Sequence, residues 1–208
     1  MKLLVASRNF KKLKELKSIL SNALSRTQGE AKTRFEIVSL GDFPNVPEVQ
    51  EDGKTFEENA VKKALGYAKE TGLLTLADDS GLVVDALGGE PGVLSARFAG
   101  ADKDDRKNCL KVLRLLESVP DFKRTARFVC AIAIAKPDQL IGTAKGEAEG
   151  FILKDFKGSA GFGYDPIFYY PPFEKTFAEV NPDQKNSVSH RNAALKVAQL
   201  ILAQYLTK

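Results

Sequence analysis

The chain reads as an α/β protein built on a mixed β-sheet, and two observations predict this. Through the first half of its 208 residues, short apolar runs alternate with amphipathic stretches of helical period, the pattern of strands linked by crossover helices. In the second half a long run rich in Val, Ile, Phe and Ala turns at Pro137-Asp138-Gln139 into a more polar partner, the pattern of an antiparallel ribbon. With 43% hydrophobic residues the chain can bury a full core without covalent staples. It is expected to fold as one domain over 1–208, or as two lobes tightly joined, because no linker divides it cleanly.

Each element has its own signal. Residues 3–6 are a short apolar strand that gives way to a helix over 11–25, with Leu13, Leu16, Leu20 and Leu24 on its apolar face. The lysines at 11, 12, 14 and 17 mostly solvate the other face. Residues 35–40 read as a strand, followed by a loop broken by Pro44 and Pro47. Thr55 and Glu58 have capping-box spacing, and Phe56, Ala60, Ala64 and Tyr67 then recur on one face until Gly72 ends the helix. A strand over 74–77 runs into Asp78 and Asp79. After the glycine-rich turn at 88–92, a helix over 104–117 carries Leu110, Leu113 and Leu116 as its stripe. The ribbon pairs 127–135 with 140–152, and a closing helix over 189–205 buries Ala194, Val197, Ile201 and Leu202. The middle ribbon and helix are the natural second lobe.

Composition excludes several classes. No apolar run reaches 18 residues and the N-terminus enters a strand directly, so neither a membrane span nor a signal peptide is expected, and the protein is expected in the cytoplasm. Cys109 and Cys130 are the only cysteines, with no CxxC and no nearby histidine, and read as reduced, buried small hydrophobes. A net charge of +4, 31 Lys+Arg against 27 Asp+Glu, helps attract a polyanionic ligand without specifying nucleic acid.

Three stretches carry more polar chemistry than a core or loop needs. In Ser7-Arg8-Asn9-Phe10-Lys11-Lys12 a strand meets a helix, so backbone N–H groups, the Ser and Asn side chains and Lys12 can converge on a phosphate. The same residues suit an ordinary helix cap, although lysines in a first turn are opposed by the helix dipole unless an anion is bound. Asp78 and Asp79 end an apolar run, where open α/β sheets place ligands, and Glu48, Glu51 and Asp52 upstream supply further oxygen donors for a magnesium ion shared with substrate phosphates. A turn into Gly81 is the plainer reading. On a strand, neighbouring side chains point to opposite faces, so Asp78 is expected to matter less than Asp79. Gly161-Phe162-Gly163-Tyr164-Asp165-Pro166 is either a hairpin turn or a glycine-held aromatic platform on which a base stacks. Ser189-His190-Arg191 opens the last helix with the sole histidine of the chain, near Lys185.

SxNxxK at Ser7, Asn9 and Lys12, ADDSGL at 77–82, LGGxPGxxSARF at 87–98, GFGYDPIF at 161–168 and the Lys185 with SHR at 189–191 together resemble the Ham1-type inosine triphosphate pyrophosphatases, over 3–200 and in the same order. The resemblance implies an elongated mixed-sheet α/β fold, flanked by helices, with two lobes around a central cleft. It also implies a homodimer and magnesium-dependent hydrolysis of ITP, dITP and XTP to monophosphate and pyrophosphate, a house-cleaning activity. On this sequence it makes Ser7, Arg8, Asn9, Phe10, Lys11 and Lys12 the triphosphate grip, with Lys63 a further phosphate contact. Asp79 becomes the metal-linked acid that accepts a proton from the attacking water, and Ser80 contacts substrate. Phe162, Gly163, Tyr164 and Asp165 become the base platform, and Lys185, His190 and Arg191 the rim of the purine pocket. The second metal ligand falls in a variable loop where Glu48 and Glu51 both fit and Gln50 lies between them; Glu51 is preferred. Lys157-Gly158-Ser159-Ala160 is less glycine-rich than in relatives. A nucleic-acid-binding module would leave Glu51, Asp78 and Asp79 unexplained, so no stable nucleic-acid partner is expected. The SHR and GFGYDPIF segments argue against the related Maf-type pyrophosphatases.

Overall fold

The computed structural model describes residues 1–24 and 36–207; residues 25–35 and 208, and the side chains of residues 10, 11 and 21–24, lie outside that description. Phe10 and Lys11 therefore have a described backbone only. The expected helix end at Ser25, the apolar position Leu24 and the expected strand start at Phe35 likewise fall outside it.

The elements are β1 (Lys2–Val5), α1 (Phe10–Leu24), β2 (Glu36–Ser39), α2 (Phe56–Thr71), β3 (Leu74–Val84), α3 (Asp105–Leu115), β4 (Thr125–Lys136), β5 (Gln139–Ile152), β6 (Phe168–Tyr170), β7 (Lys175–Thr176), α4 (Pro182–Val188) and α5 (His190–Leu206). Seven strands form one sheet in the order β2-β1-β3-β4-β5-β6-β7. β1 pairs in parallel with β2 and β3, whereas β5 with β6 and β6 with β7 are antiparallel, so the sheet is mixed as expected. The chain divides into two compact units, one of residues 1–79, 130–146 and 191–208, the other of 80–129 and 147–190.

The first unit is apolar on both faces of its strands. Leu3 and Val5 of β1 join Leu16 and Leu20 of α1 and Leu195, Ala198 and Leu202 of α5, while Leu4 and Ala6 join Ala60, Ala64 and Tyr67 of α2. The same alternation runs through β4, where Ile132 and Ile134 take the first face and Ala131, Ala133 and Ala135 the second. Small residues on both α2 and β4 let that helix approach the sheet closely. α2 starts at Thr55, whose hydroxyl accepts the Glu58 N–H at 3.1 Å, and ends at Gly72 with φ 70°. The expected capping box is shifted by one residue, because the Glu58 carboxylate accepts from the Lys54 N–H at 2.7 Å.

The second unit has an aromatic core. Phe128, Phe168 and Phe177 pack with centroids 4.6 to 5.9 Å apart, against Cys109, Val112 and Leu116. α3 is thus turned relative to expectation: Leu110 is exposed and Leu113 only partly buried, because Cys109, Val112 and Leu116 form the inner stripe. In α5 the inner residues are Ala194, Leu195, Ala198 and Leu202, and Val197 is exposed. α4, β6 and β7 are additional to the elements read from sequence, and β3 runs straight through the aspartates to Val84.

Cys109 and Cys130 are free and buried, as read from sequence. Burial, reinforced by Asp105 and Asp165, pushes the Cys109 thiol up to about 12, and burial raises Cys130 as well. Only the thiolate reacts. At about pH 8 the native protein should react with a disulfide reagent on the order of 10³-fold more slowly than the urea-unfolded chain, from the thiolate fractions alone. Two thiols titrating under native conditions at the rate of a free cysteine would contradict this placement.

Candidate functional site

In the first unit, β1 hands over to α1 within four residues. Asn9 is the helix cap: its Oδ1 accepts the Lys12 N–H at 3.2 Å, and its own N–H donates to Ser7 Oγ at 3.3 Å. The cap reading of this segment is therefore realised, and it is compatible with anion binding, because a cap satisfies only part of the first-turn N–H groups. Arg8 donates to the Val46 carbonyl at 2.8 Å, tying the turn to the loop before α2.

The carboxylates of β3 lie just past the parallel part of the sheet. Pairing between β1 and β3 stops at Leu76, whose carbonyl accepts the Ala6 N–H at 2.8 Å, and Asp78 and Asp79 follow while the strand continues. This corrects the expectation that they end a strand, yet preserves its point, since they occupy the carboxyl end of the parallel segment. Both are buried, 3% and 7% exposed. Asp78 Oδ2 is 3.6 Å from Lys12 Nζ, and Asp79 Oδ1 is 3.8 Å from Lys63 Nζ. Lys63 also donates to Glu51 at 3.0 Å, and Asn59 Nδ2 donates to Asp79 Oδ2 at 3.0 Å.

Electrostatics make one cluster of these groups. Burial pushes the Asp79 carboxyl above its ordinary range; Lys63, Lys12 and the Asn59 amide pull it down without cancelling that rise, and Glu51 adds to it. Burial pulls Lys63 down, but Asp78, Asp79 and Glu51 outweigh it and hold the ammonium above its ordinary value. Asp78 lies by Lys12 of α1 and Asp79 by Lys63 and Asn59 of α2, so the two side chains point to opposite faces of β3, while the charges of both act on Lys63. Of the loop acids, Glu51 is brought to Lys63, Asp52 pairs with Lys62, and Glu48 is exposed. Asn59 was not anticipated; a buried asparagine on the apolar side of α2 was its only signal.

In the second unit, Phe162 is the half-exposed one of the two rings expected to form the platform, with Lys185 Nζ 4.6 Å from its centroid. Asp165 Oδ2 accepts both the Phe162 N–H at 2.8 Å and Lys185 Nζ at 2.5 Å, and both charged partners are buried. Gly163 donates its N–H to Asp105 at 2.8 Å. Tyr164 corrects the expected two-ring platform. It is 4% exposed, and its hydroxyl donates to the Ser95 carbonyl at 2.7 Å, so it anchors the loop and offers no open face. His190 is buried and stacks on Phe128 at 4.9 Å. Ser80 is half-buried. Arg191 belongs to the first unit, where it donates to Glu15 of α1 at 2.7 Å, a partner the sequence did not point to.

The model of the Ham1 family matches residues 3–200. A dITP/XTP pyrophosphatase of Desulforamulus reducens is 54% identical over 202 residues, covering 97% of this chain and 96% of that protein. One of Geobacter sulfurreducens is 50% identical over 194 residues, covering 93% and 92%. Among solved structures, a HAM1 protein from Coxiella burnetii superposes with a TM-score of 0.85 at 39% identity, covering 98% of this chain and 99% of that one.

The raised Asp79 pKa has a consequence for stability. The folded state holds the Asp79 proton more tightly than the unfolded chain, so stability falls as pH rises from 3.8 through the raised value and stays lower above it. Asp79→Asn carries no charge to bury. In metal-free buffer it should melt above the parent near pH 7, with the gap closing toward about pH 4. Thermal melts across that range check this, and a variant that melts below the parent at pH 7 contradicts it.

Proposed function

The chain belongs to the Ham1 family, and from that premise we propose that it hydrolyses the non-standard purine nucleotides dITP, ITP and XTP to the monophosphate and pyrophosphate, keeping them out of DNA and RNA. The observation that carries this reading is the buried pair Asp78 and Asp79 with a lysine ammonium facing each. A phosphate arriving there takes over the lysines and leaves a carboxylate to act on water. The names of the relatives, dITP/XTP pyrophosphatase, support the substrate class. We further propose one functional domain, a homodimer and a cytoplasmic location. Among the described residues no helix is long and apolar enough to cross a membrane.

Magnesium is part of the proposal. Among the described residues no group of three or more His, Cys, Asp or Glu is gathered to cage a metal. Magnesium, however, takes one or two carboxylates and completes its shell with water and phosphate oxygens. Glu51 and Asp79 suit that arrangement: both approach Lys63 Nζ, at 3.0 and 3.8 Å, and Glu51 is close enough to raise Asp79. When bound, the ion neutralises phosphate charge and polarises the reacting phosphoryl group.

The remaining work falls to the chain. Asp79 accepts a proton from a water whose oxygen bonds to the α-phosphorus, the bond from that phosphorus to the bridging oxygen breaks, and pyrophosphate leaves with its charge offset by Lys12 and Lys63. Ser7, Asn9 and the first turn of α1, with Phe10 and Lys11, hold the phosphates, and Ser80 contacts the substrate. Phe162 is the stacking ring for the base, backed by Lys185 and held by Gly163 and Asp165. His190, Arg191 and Lys185 supply donors of the kind that O6 of hypoxanthine and xanthine accepts, whereas adenine presents a donor there. Leaving such groups unpaired costs factors of about 10⁴.

With magnesium, dITP, ITP and XTP should give monophosphate and pyrophosphate, and ATP and GTP should turn over at least about 100-fold less efficiently. Orthophosphate and a nucleoside diphosphate as products would sink the reading. In a second test, Asp79→Asn should lower kcat by about 10² to 10⁴, while Asp78→Asn, which lies 3.6 Å from the Lys12 ammonium, should act mainly on KM. Steady-state rates across a magnesium titration distinguish them, and an Asp79→Asn enzyme of parental speed refutes the assignment of the base.

A further inference from the structure

Asn59 is a residue that α2 has no local reason to carry. It lies one turn inside the helix, where asparagine is a poor helix former, and it is 2% exposed on a side of α2 that buries Lys63 along with Ala60, Ala64 and Tyr67. A buried primary amide has to be satisfied at both ends. Its Oδ1 accepts the Gly53 N–H at 2.7 Å, and its Nδ2 donates to Asp79 Oδ2 at 3.0 Å. The amide can take only this orientation, because a backbone N–H only donates and a carboxylate only accepts. Gly53 is fitted to the contact: a Cβ there would lie 2.6 Å from Asn59 Oδ1 and 2.9 Å from Glu58 Cβ.

One amide therefore joins two separate parts of the site. Gly53 lies two residues after Glu51 in the acidic loop, and Asp79 lies in β3. The terminal torsion of an aspartate is soft and does not hold its carboxylate plane unaided. Resting on the reading of Asp79 as the proton acceptor, we propose that Asn59 is a positioning residue for hydrolysis: it holds the Asp79 carboxylate in one orientation and registers the Glu51 loop against it. Asn59 acts through Asp79 and Gly53 and does not touch the reacting phosphate.

The test is a double-mutant cycle on dITP hydrolysis with Asn59→Ala, Asp79→Asn and the double variant, each shown by thermal melting to be folded at the assay temperature. Asn59→Ala alone should lower kcat about 10- to 100-fold, the effect of a misplaced catalytic group, with KM for dITP changed less than about threefold. In the Asp79→Asn background the same substitution should cost less than about threefold, because nothing remains for it to position. Amide exchange of Gly53 should quicken in Asn59→Ala, a readout independent of turnover. If Asn59→Ala does not fold, Asn59→Ser, whose hydroxyl cannot span both partners, takes its place in the cycle with the same expectations. Equal losses in both backgrounds, or an unchanged kcat in the single variant, overturn the inference while leaving Asp79 as the base. An Asp79→Asn enzyme as fast as the parent overturns both.

Discussion

The first unit depends on keeping two adjacent carboxylates ionisable inside an apolar strand. Removing a carboxylate from water costs several kcal/mol unless charges and hydrogen bonds replace the solvent, and β3 buries Asp78 and Asp79 side by side. The surrounding elements are arranged to meet that cost. α1 begins where Lys12 can reach Asp78, and α2 carries Asn59 and Lys63 four residues apart, hence on the same helical face and aimed at Asp79. Alanines at 60, 64 and 68 remove the bulk that would hold α2 off the sheet, so a short amide can reach the strand. The cap at Thr55 fixes the first turn of that helix and with it the direction of Asn59.

Much of this was legible in the sequence because the signals were local. The turn after β1, the Thr55 start and the Gly72 end of α2, the Pro137-Asp138 turn and the aspartate pair all follow from residue chemistry over a few positions. What escaped needed knowledge of neighbours. Leu110, Leu113 and Leu116 fit a helical stripe as well as Cys109, Val112 and Leu116 do. The choice is made by Asn108, which turns inward to accept the Ala99 N–H and donate to the Ala96 carbonyl, a polar contact that a hydrophobic period does not weigh. β3 reads as ending at its aspartates because charged residues usually close a strand, whereas here Leu82 and Val84 carry it into the aromatic core of the second unit. α4 was readable, since Asn181, Pro182 and Gln184 make a capping box with proline in the first turn.

The site residues divide the same way. Phe162 and Tyr164 are equivalent on paper, two aromatics flanked by glycines. In the structure they part because a buried phenol must bond, and the Ser95 carbonyl offers the acceptor. Ser95 is itself held, its Oγ accepting the Leu82 N–H at 2.9 Å and donating to the Gly92 carbonyl at 2.6 Å, and it leaves no room for a side chain at Gly81. Gly81 and Ser95 are thus packing partners across the two segments, whereas Gly88, Gly89 and Gly92 have φ values of 62°, 96° and 53°, a backbone conformation that favours glycine. Gly161 has the same kind of reason: φ is 75°, and the Asp165 carboxylate occupies the space of a Cβ.

The lysines of the two units differ in how closely they hold their aspartates. Lys185 bonds Asp165 at 2.5 Å, and Asp165 also takes a backbone N–H, so disruption of that pair would strand a buried charge. Lys12 and Lys63 stand 3.6 and 3.8 Å from Asp78 and Asp79, beyond ordinary hydrogen-bond length, and the short bond of Lys63 is to Glu51 at 3.0 Å. When a phosphate oxygen draws either ammonium away, the aspartate it leaves gains in basicity because its burial is then less compensated. Loose pairing at Asp78 and Asp79 therefore serves phosphate capture and proton acceptance together, whereas tight pairing at Asp165 keeps the Phe162 ring in place.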